Sequence, residues 1–137
     1  MLKFLTKVAQ TQRNFAKYFT KSHEYVCDQT GRIGISDHAQ HAMGEVIHVE
    51  MTCQVGDQVE AGATFAEIES VKSVSNCYFP CSGVVKAINK ELSENPKLVN
   101  QDAEGKAWIV QIEKAVVDGL LDTGAYKLHV EEEMKNH

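Results

Sequence analysis

Lys72 stands in the stretch Glu67-Ile68-Glu69-Ser70-Val71-Lys72-Ser73-Val74-Ser75-Asn76, between two segments that read as strands. A hairpin there puts Val71 and Lys72 at its tip. A lysine on a protruding tip offers its amine to a modifying enzyme. The neutral amine attacks an activated acyl group, and the resulting amide carries no charge. The same placement describes an ordinary surface lysine in a turn, and spacing alone favours that plainer reading. Glu69, three residues earlier, is either a mark that a modifying enzyme reads or a solvated charge at a strand end.

Other residue types that do chemistry are not arranged for it. Cys27, Cys53, Cys77 and Cys81 include no Cys-x-x-Cys pair, and zinc needs close pairs or suitably spaced histidines. Without a secretion signal a disulfide framework is not expected, and the four read as small buried residues. His38 and His41 lie three apart on a short helix with no further ligand nearby, so they read as surface polar residues and no metal is expected. No nucleophile–base constellation and no phosphate-cradling glycine loop is visible, so the chain is expected not to be an enzyme.

The elements that must position Lys72 follow from periodicity and turn chemistry. Glu24–Cys27 reads as a strand, Asp28–Gly31 as a turn and Arg32–Ile35 as a second strand. Ser36 is a good N-cap for a short helix over Asp37–Met43, and Gly44 its left-handed stop. Val46–Val49, Thr64–Ser70, Asn76–Phe79, Val84–Ile88 and Trp108–Ile112 read as strands, with bends at Gly56-Asp57 and Gly62. Asn95-Pro96 breaks the chain. From Asp118 the tail reads as helix, with Thr123 as N-cap, Tyr126, Leu128 and Val130 as apolar positions, and Glu131 to Glu133 as its solvated end. Many short strands with glycine turns predict a sandwich or barrel. A faint repeat sets Gly44-x-Val46-x-x-Val49 against Gly83-x-Val85-x-x-Ile88, with Val59 and Leu98 at the same offset. Two similar halves meeting near residues 70 to 75, or chance, account for it.

At 137 residues and 43% hydrophobic content, the chain suits one core. No apolar run reaches membrane-spanning length. The net charge of −5 argues against nucleic acid. The charge is uneven. Lys3, Lys7, Arg13, Lys17 and Lys21 precede Glu24 with no acidic residue among them, so the rest of the chain carries −10. Leu5, Val8, Phe15 and Phe19 share a rough helical face. This reads as an organelle-targeting presequence over residues 1–15, with a folded domain over 16–137. The plainer alternative is a basic surface helix. Arg13-Asn14-Phe15 is similar to mitochondrial import cleavage sites, and the expected location is the mitochondrial matrix or a related organelle such as a hydrogenosome.

Glu69-Ser70-Val71-Lys72-Ser73, with Gly83 eleven residues after the lysine, resembles a lipoyl-attachment signature. Gly56-Asp57-x-Val59-x-x-Gly62 upstream and Pro80-Cys81-Ser82-Gly83-Val84-Val85 downstream fit the lipoyl/biotinyl-attachment superfamily. Val71 before the lysine points to the glycine cleavage system H-protein family. Ser22-His23-Glu24-Tyr25, Gly34-Ile35-Ser36-Asp37-His38-Ala39-Gln40, Gly44-Glu45-Val46-x-x-Val49-Glu50 and Glu91-Leu92-x-x-Asn95-Pro96-x-Leu98-Val99-Asn100 extend the resemblance over about residues 18 to 133.

The resemblance implies a mainly β fold, a lipoyl-domain-like flattened barrel/sandwich hybrid with a short internal helix and a C-terminal helix. It implies lipoic acid, amide-linked to Lys72, with Glu69, Val71 and Gly83 read around the attachment point. It implies a non-catalytic carrier. The partners implied are glycine decarboxylase (P protein), aminomethyltransferase (T protein), dihydrolipoyl dehydrogenase (L protein) and a lipoylating enzyme, with neither nucleic acid nor membrane. The carrier takes an aminomethyl group from the first to the second, and electrons to the third. Ser22, Glu24 and Asn76 match the cleft that shields the loaded arm. Asn76 stands where the family often has Asp, which puts the strength of that shielding in doubt, and Tyr25 stands where Trp is usual. Two other readings stay open: a lipoyl relay or donor for other lipoyl-dependent complexes, and an unmodified β-domain that only binds partners.

Overall fold

The computed structural model describes residues 16–136. The expected presequence over 1–15, including Arg13-Asn14-Phe15, lies outside the described residues. Nine strands and four helices follow in chain order: β1 Lys17–Phe19, β2 Glu24–Cys27, β3 Arg32–Ile35, α1 Asp37–Met43, β4 Val46–Met51, β5 Gln58–Val59, β6 Thr64–Ser70, β7 Val74–Tyr78, β8 Gly83–Ile88, α2 Glu91–Glu94, α3 Leu98–Asp102, β9 Val110–Ile112 and α4 Thr123–Lys135. None of the described helices is long and apolar enough to cross a membrane.

Among the described residues the strands form two sheets and no closed barrel. One has six strands in the order β1-β2-β3-β9-β8-β5, the other three in the order β4-β6-β7. The pairings are antiparallel, with registers such as Tyr25↔Gly34, Ile33↔Val110 and Val49↔Ile68. The fold is therefore mainly β, as expected, with a sandwich of two sheets instead of a continuous barrel.

Alternation explains how the sheets meet. Along β6, Ile68 and Ser70 point inward while Glu67 and Glu69 face solvent. A bulge between Thr64 and Ala66 turns Phe65 and Ala66 both inward. Phe65 and Phe79 stack edge to face in the core, ring centroids 5.4 Å apart. Val46, Val85, Ile109 and Leu92 complete the same apolar cluster. Burying such side chains contributes about 1.5–3 kcal/mol each. Cys27, Cys53, Cys77 and Cys81 are free and buried, as small core residues.

The repeat is only partly structural. Val46 and Val85 are both fully buried in strands, but those strands belong to different sheets. Val59 lies in β5 and Leu98 opens α3, so that pair shares no structural role.

Three expectations need correction. Phe19 is not part of a leader helix. It lies in β1, is buried beside Tyr25 and Tyr126, and bridges to Leu121. The tail is not helical from Asp118, because helix begins at Thr123. Its cap is Asp122, whose carboxylate accepts from Ala125 N–H at 2.8 Å. Within α4, Tyr126 is buried and Leu128 is 68% exposed. Positions 126, 128 and 130 alternate as in a strand, whereas helix geometry puts 126 and 130 together and 128 elsewhere.

Candidate functional site

β6 and β7 are joined by Ser70-Val71-Lys72-Ser73, and the hairpin presents Lys72 at its tip. Ser70 shapes the turn from a nearly buried position. Its backbone N–H donates to Ser73 O at 2.8 Å. Its Oγ accepts from the N–H groups of Lys72 and Ser73 at 3.2 and 3.3 Å. A serine oxygen thus takes donors that a short turn would leave open. Val71 N–H donates to Glu45 O at 2.9 Å, which ties the tip to the chain between α1 and β4.

The Lys72 side chain is exposed and lies back along that chain. Its Nζ donates to Ala42 O at 3.4 Å. Its Cε passes 3.4 Å from where a Cβ on Gly44 would sit. Gly44 has φ 80° and ψ −156°. The φ is left-handed, as read from the sequence, but the ψ belongs to an extended mirror conformation close to glycine-only space. Gly44 therefore ends α1 and also leaves a flat seat for the lysine stem.

α1 is placed as its sequence suggests. Ser36 Oγ accepts from Ala39 N–H at 3.1 Å. The same Oγ lies 2.6 Å from the Tyr126 hydroxyl, so the cap is also an anchor for α4.

Beside the tip is a cleft of about 370 Å³ between α1, β7 and the turn before β2. Ala42, Ser73 and Asn76 line it towards the hairpin, Ser22 and Glu24 on the opposite side. Glu24 is buried in β2. Its Oε1 accepts from Thr20 Oγ1 at 2.5 Å and Ser22 Oγ at 2.6 Å. Its Oε2 accepts from Tyr78 N–H at 3.0 Å. A strand of the six-stranded sheet thus holds an edge of the three-stranded sheet through one carboxylate. Burial, with the charge of Glu24 adding to it, pushes the neighbouring Cys77 thiol up to about 12. Cys77 is therefore a neutral thiol in the cleft wall.

The structure brings Lys72, Val71, Ser22, Glu24 and Asn76 to one end of the molecule. Glu69 is exposed on the outer face of β6, opposite Val74. Gly83 does not join them. It opens β8 in the other sheet, where a Cβ would lie 3.0 Å from Ile112 Cδ1 and 3.2 Å from Glu113 O. Its place is explained by packing. His38 is not simply a surface residue. Its ring is 4.9 Å from that of His23, and burial lowers its pKa, with His23 adding to the effect. Sequence reasoning missed Ala42, Thr20 and His23. Ala42 and the Tyr78 N–H act through the backbone, which carries no side-chain signal. The Thr20-x-Ser22-x-Glu24 spacing was the legible trace of the hydroxyl pair.

The Lys72 amine has the exposure that a covalent acyl group requires. The adjoining cleft offers an anionic wall to a cationic group on such an arm. On this observation the residues present fit a lipoyl group.

The family described as glycine cleavage H-protein matches residues 17–135. A glycine cleavage system H protein of Acidobacterium capsulatum is 43% identical over 120 residues, covering 84% of this chain and 92% of that protein. One from Mycobacterium avium is 41% identical over 120 residues, covering 80% and 90%. The crystal structure of a glycine cleavage system H protein from Mycobacterium marinum superposes with a TM-score of 0.78 at 27% identity, covering 87% of this chain and 99% of that one.

Proposed function

Because the chain belongs to the glycine cleavage H-protein family, the lipoyl-carrying shuttle of the glycine cleavage system, we propose that Lys72 is its attachment point. The observation that carries this is the placement of the Lys72 amine, exposed at a hairpin tip and held at the mouth of a cleft that contains the Glu24 carboxylate. A lipoyl group in amide linkage to Nζ would supply a dithiolane able to carry a one-carbon amine fragment and an electron pair.

The chain's own residues do the rest. Ser70 and Glu45 fix the root of the arm, so the search volume is set by the arm alone. The cleft removes a bound group from bulk water. Glu24, already ordered by three donors, offers its charge to an ammonium without reorganising. Asn76 adds hydrogen bonding at the rim without adding charge.

We propose that the arm visits a glycine decarboxylase, an aminomethyltransferase and a dihydrolipoyl dehydrogenase, and that the chain contributes no catalytic group of its own. The exposed Glu69, Val71 and Lys72 are the surface presented to the lipoylating enzyme. We also propose delivery to the mitochondrial matrix or a related organelle by residues 1–15, on the strength of their basic, acid-free composition.

Intact-mass measurement of the protein from its own cells, with peptide mapping, tests the attachment point. One lipoyl increment on Lys72 is expected, and Lys72→Arg is expected to abolish it while leaving the fold intact. A modified chain in which Lys72 is bare would overturn the assignment. Fusion of residues 1–20 to a fluorescent protein tests delivery, and diffuse cytosolic signal would refute it.

A further inference from the structure

His23, at the cleft wall, meets His129 and Glu133, the last of them 110 residues later in the sequence. Glu133 of α4 lies between two imidazoles. Its Oε1 is 2.9 Å from His23 Nε2, and its Oε2 is 3.0 Å from His129 Nε2. All three donor atoms lie within 4.8 Å of one another. We propose that His23, His129 and Glu133 bind one divalent cation of the zinc class.

The distances suit it. Ligand atoms held about 2.0–2.2 Å from a shared zinc ion sit roughly 3 Å apart, as Glu133 does from each imidazole. The ligand set suits it too. Two neutral imidazoles and one carboxylate select zinc and its borderline neighbours over magnesium or calcium, which prefer oxygen throughout. The Lys21 carbonyl oxygen, 3.1 Å from His129 Nε2, is a further oxygen beside the site.

The surroundings are those of a built site. His23 Nδ1 lies 2.7 Å from the Tyr126 hydroxyl, which in turn meets Ser36 Oγ at 2.6 Å. That chain orients the ring and leaves Nε2 aimed at Glu133, as outer partners of metal-binding histidines do. His23 holds φ 78°, an uncommon backbone state for a residue with a side chain. Surrounding structure must enforce such a state, and it points this ring inward. The three side chains are 18%, 21% and 37% exposed, shielded yet reachable. Each imidazole must present a bare Nε2 to the cation. Cation binding is therefore coupled to proton release.

The bound cation would clip α4 to the turn that carries Ser22 and leads into Glu24 of β2, and so stiffen one wall of the cleft. The inference stands on this geometry and not on the lipoyl reading. Spacing within α4 pairs His129 with Glu133, but it could not have shown His23, which comes from the other end of the chain.

The test is zinc titration against a chromophoric chelator, using the full chain with Lys72→Arg so that no arm thiols compete. One equivalent is expected to bind. His129→Ala and Glu133→Ala are each expected to weaken binding by about tenfold or more, and His48→Ala, at an exposed site elsewhere, to leave it unchanged. Independently of any variant, zinc should shift the imidazole resonances of His23 and His129 and leave that of His48 in place. Absence of stoichiometric binding would overturn the proposal. So would a smaller loss in either variant, or resonance shifts confined to other histidines, since the cation would then sit elsewhere, for instance on the cysteines.

Discussion

Glu24→Gln is the perturbation that separates a structural carboxylate from an incidental one. Glu24 accepts three hydrogen bonds, from Thr20 Oγ1, Ser22 Oγ and Tyr78 N–H. Glutamine keeps the shape. Its carbonyl oxygen can accept from Tyr78 N–H, and its NH₂ can donate to the two hydroxyls, which rotate to accept. All three contacts survive in number, and what is lost is the charge. A hydrogen bond to a charged group contributes about 1.5–3 kcal/mol against about 1 for a neutral one. Over three bonds, with incomplete additivity, Gln should cost about 2–4 kcal/mol. Alanine should cost more, because it also leaves the part-buried Tyr78 N–H without its partner, a further penalty of about 1 kcal/mol. The assay is urea unfolding of the full chain, with Glu69→Gln as the exposed control expected within about 0.5 kcal/mol of the parent. If Glu24→Gln also falls within that margin, the carboxylate does not hold the two sheets together and the reasoning fails.

Ser70→Ala removes the oxygen that accepts from Lys72 and Ser73, and is expected to cost about 1 kcal/mol in urea unfolding and to slow lipoylation of Lys72 in an in vitro assay. An unchanged rate would mean the turn is set without that side chain. A second expectation concerns alkali. Burial raises Cys53 to about 11, Cys77 to about 12 and Tyr126 to about 12 in the fold. Each group is neutral when protonated, so the unfolded chain loses protons first as pH rises. The stability they contribute is whole below their unfolded values, near 9 for the thiols, and drains away between there and about 12. Denaturation midpoints measured from pH 7 to 11 should fall above about 9, and a flat profile would contradict the burial argument. Thiol reagents at pH 8 should titrate these cysteines only after denaturant is added.

Local chemistry made part of this molecule legible. The β6–β7 hairpin announces itself because alternation runs up to Ser70 and resumes at Val74, and Ser36 announces α1 because only a few side chains cap well. Edge strands as short as β1 and β5 carry too few residues for a period, and they exist by pairing with β2 and β8. The chain break at Asn95-Pro96 is real, yet short helices form on both sides of it. Asp122 and Thr123 are both competent caps, and Asp122 takes the role, one residue after the Leu121 bridge to Phe19. At the site, Lys72, Ser22 and Glu24 were legible as residue types within the H-protein order of motifs. What assembles around them was not: a carbonyl at Ala42, an amide at Tyr78, and a histidine and a glutamate brought in by a helix from the far end of the chain.

Ala42 has one more consequence. It belongs to the last turn of α1, where carbonyls lack partners within the helix. The N–H that would reach it from the next turn, that of Val46, donates instead to Asn100 Oδ1 at 2.8 Å. The Lys72 ammonium meets this carbonyl and so sits at the negative end of a helix dipole, a placement that stabilises an exposed cation by about 0.3–1 kcal/mol. Acylation erases the charge and with it the attraction. An unmodified Lys72 is thus tethered to the helix end by its own charge, and the reaction that installs an arm also unties it. Modification here both adds a reach and releases the residue to use it.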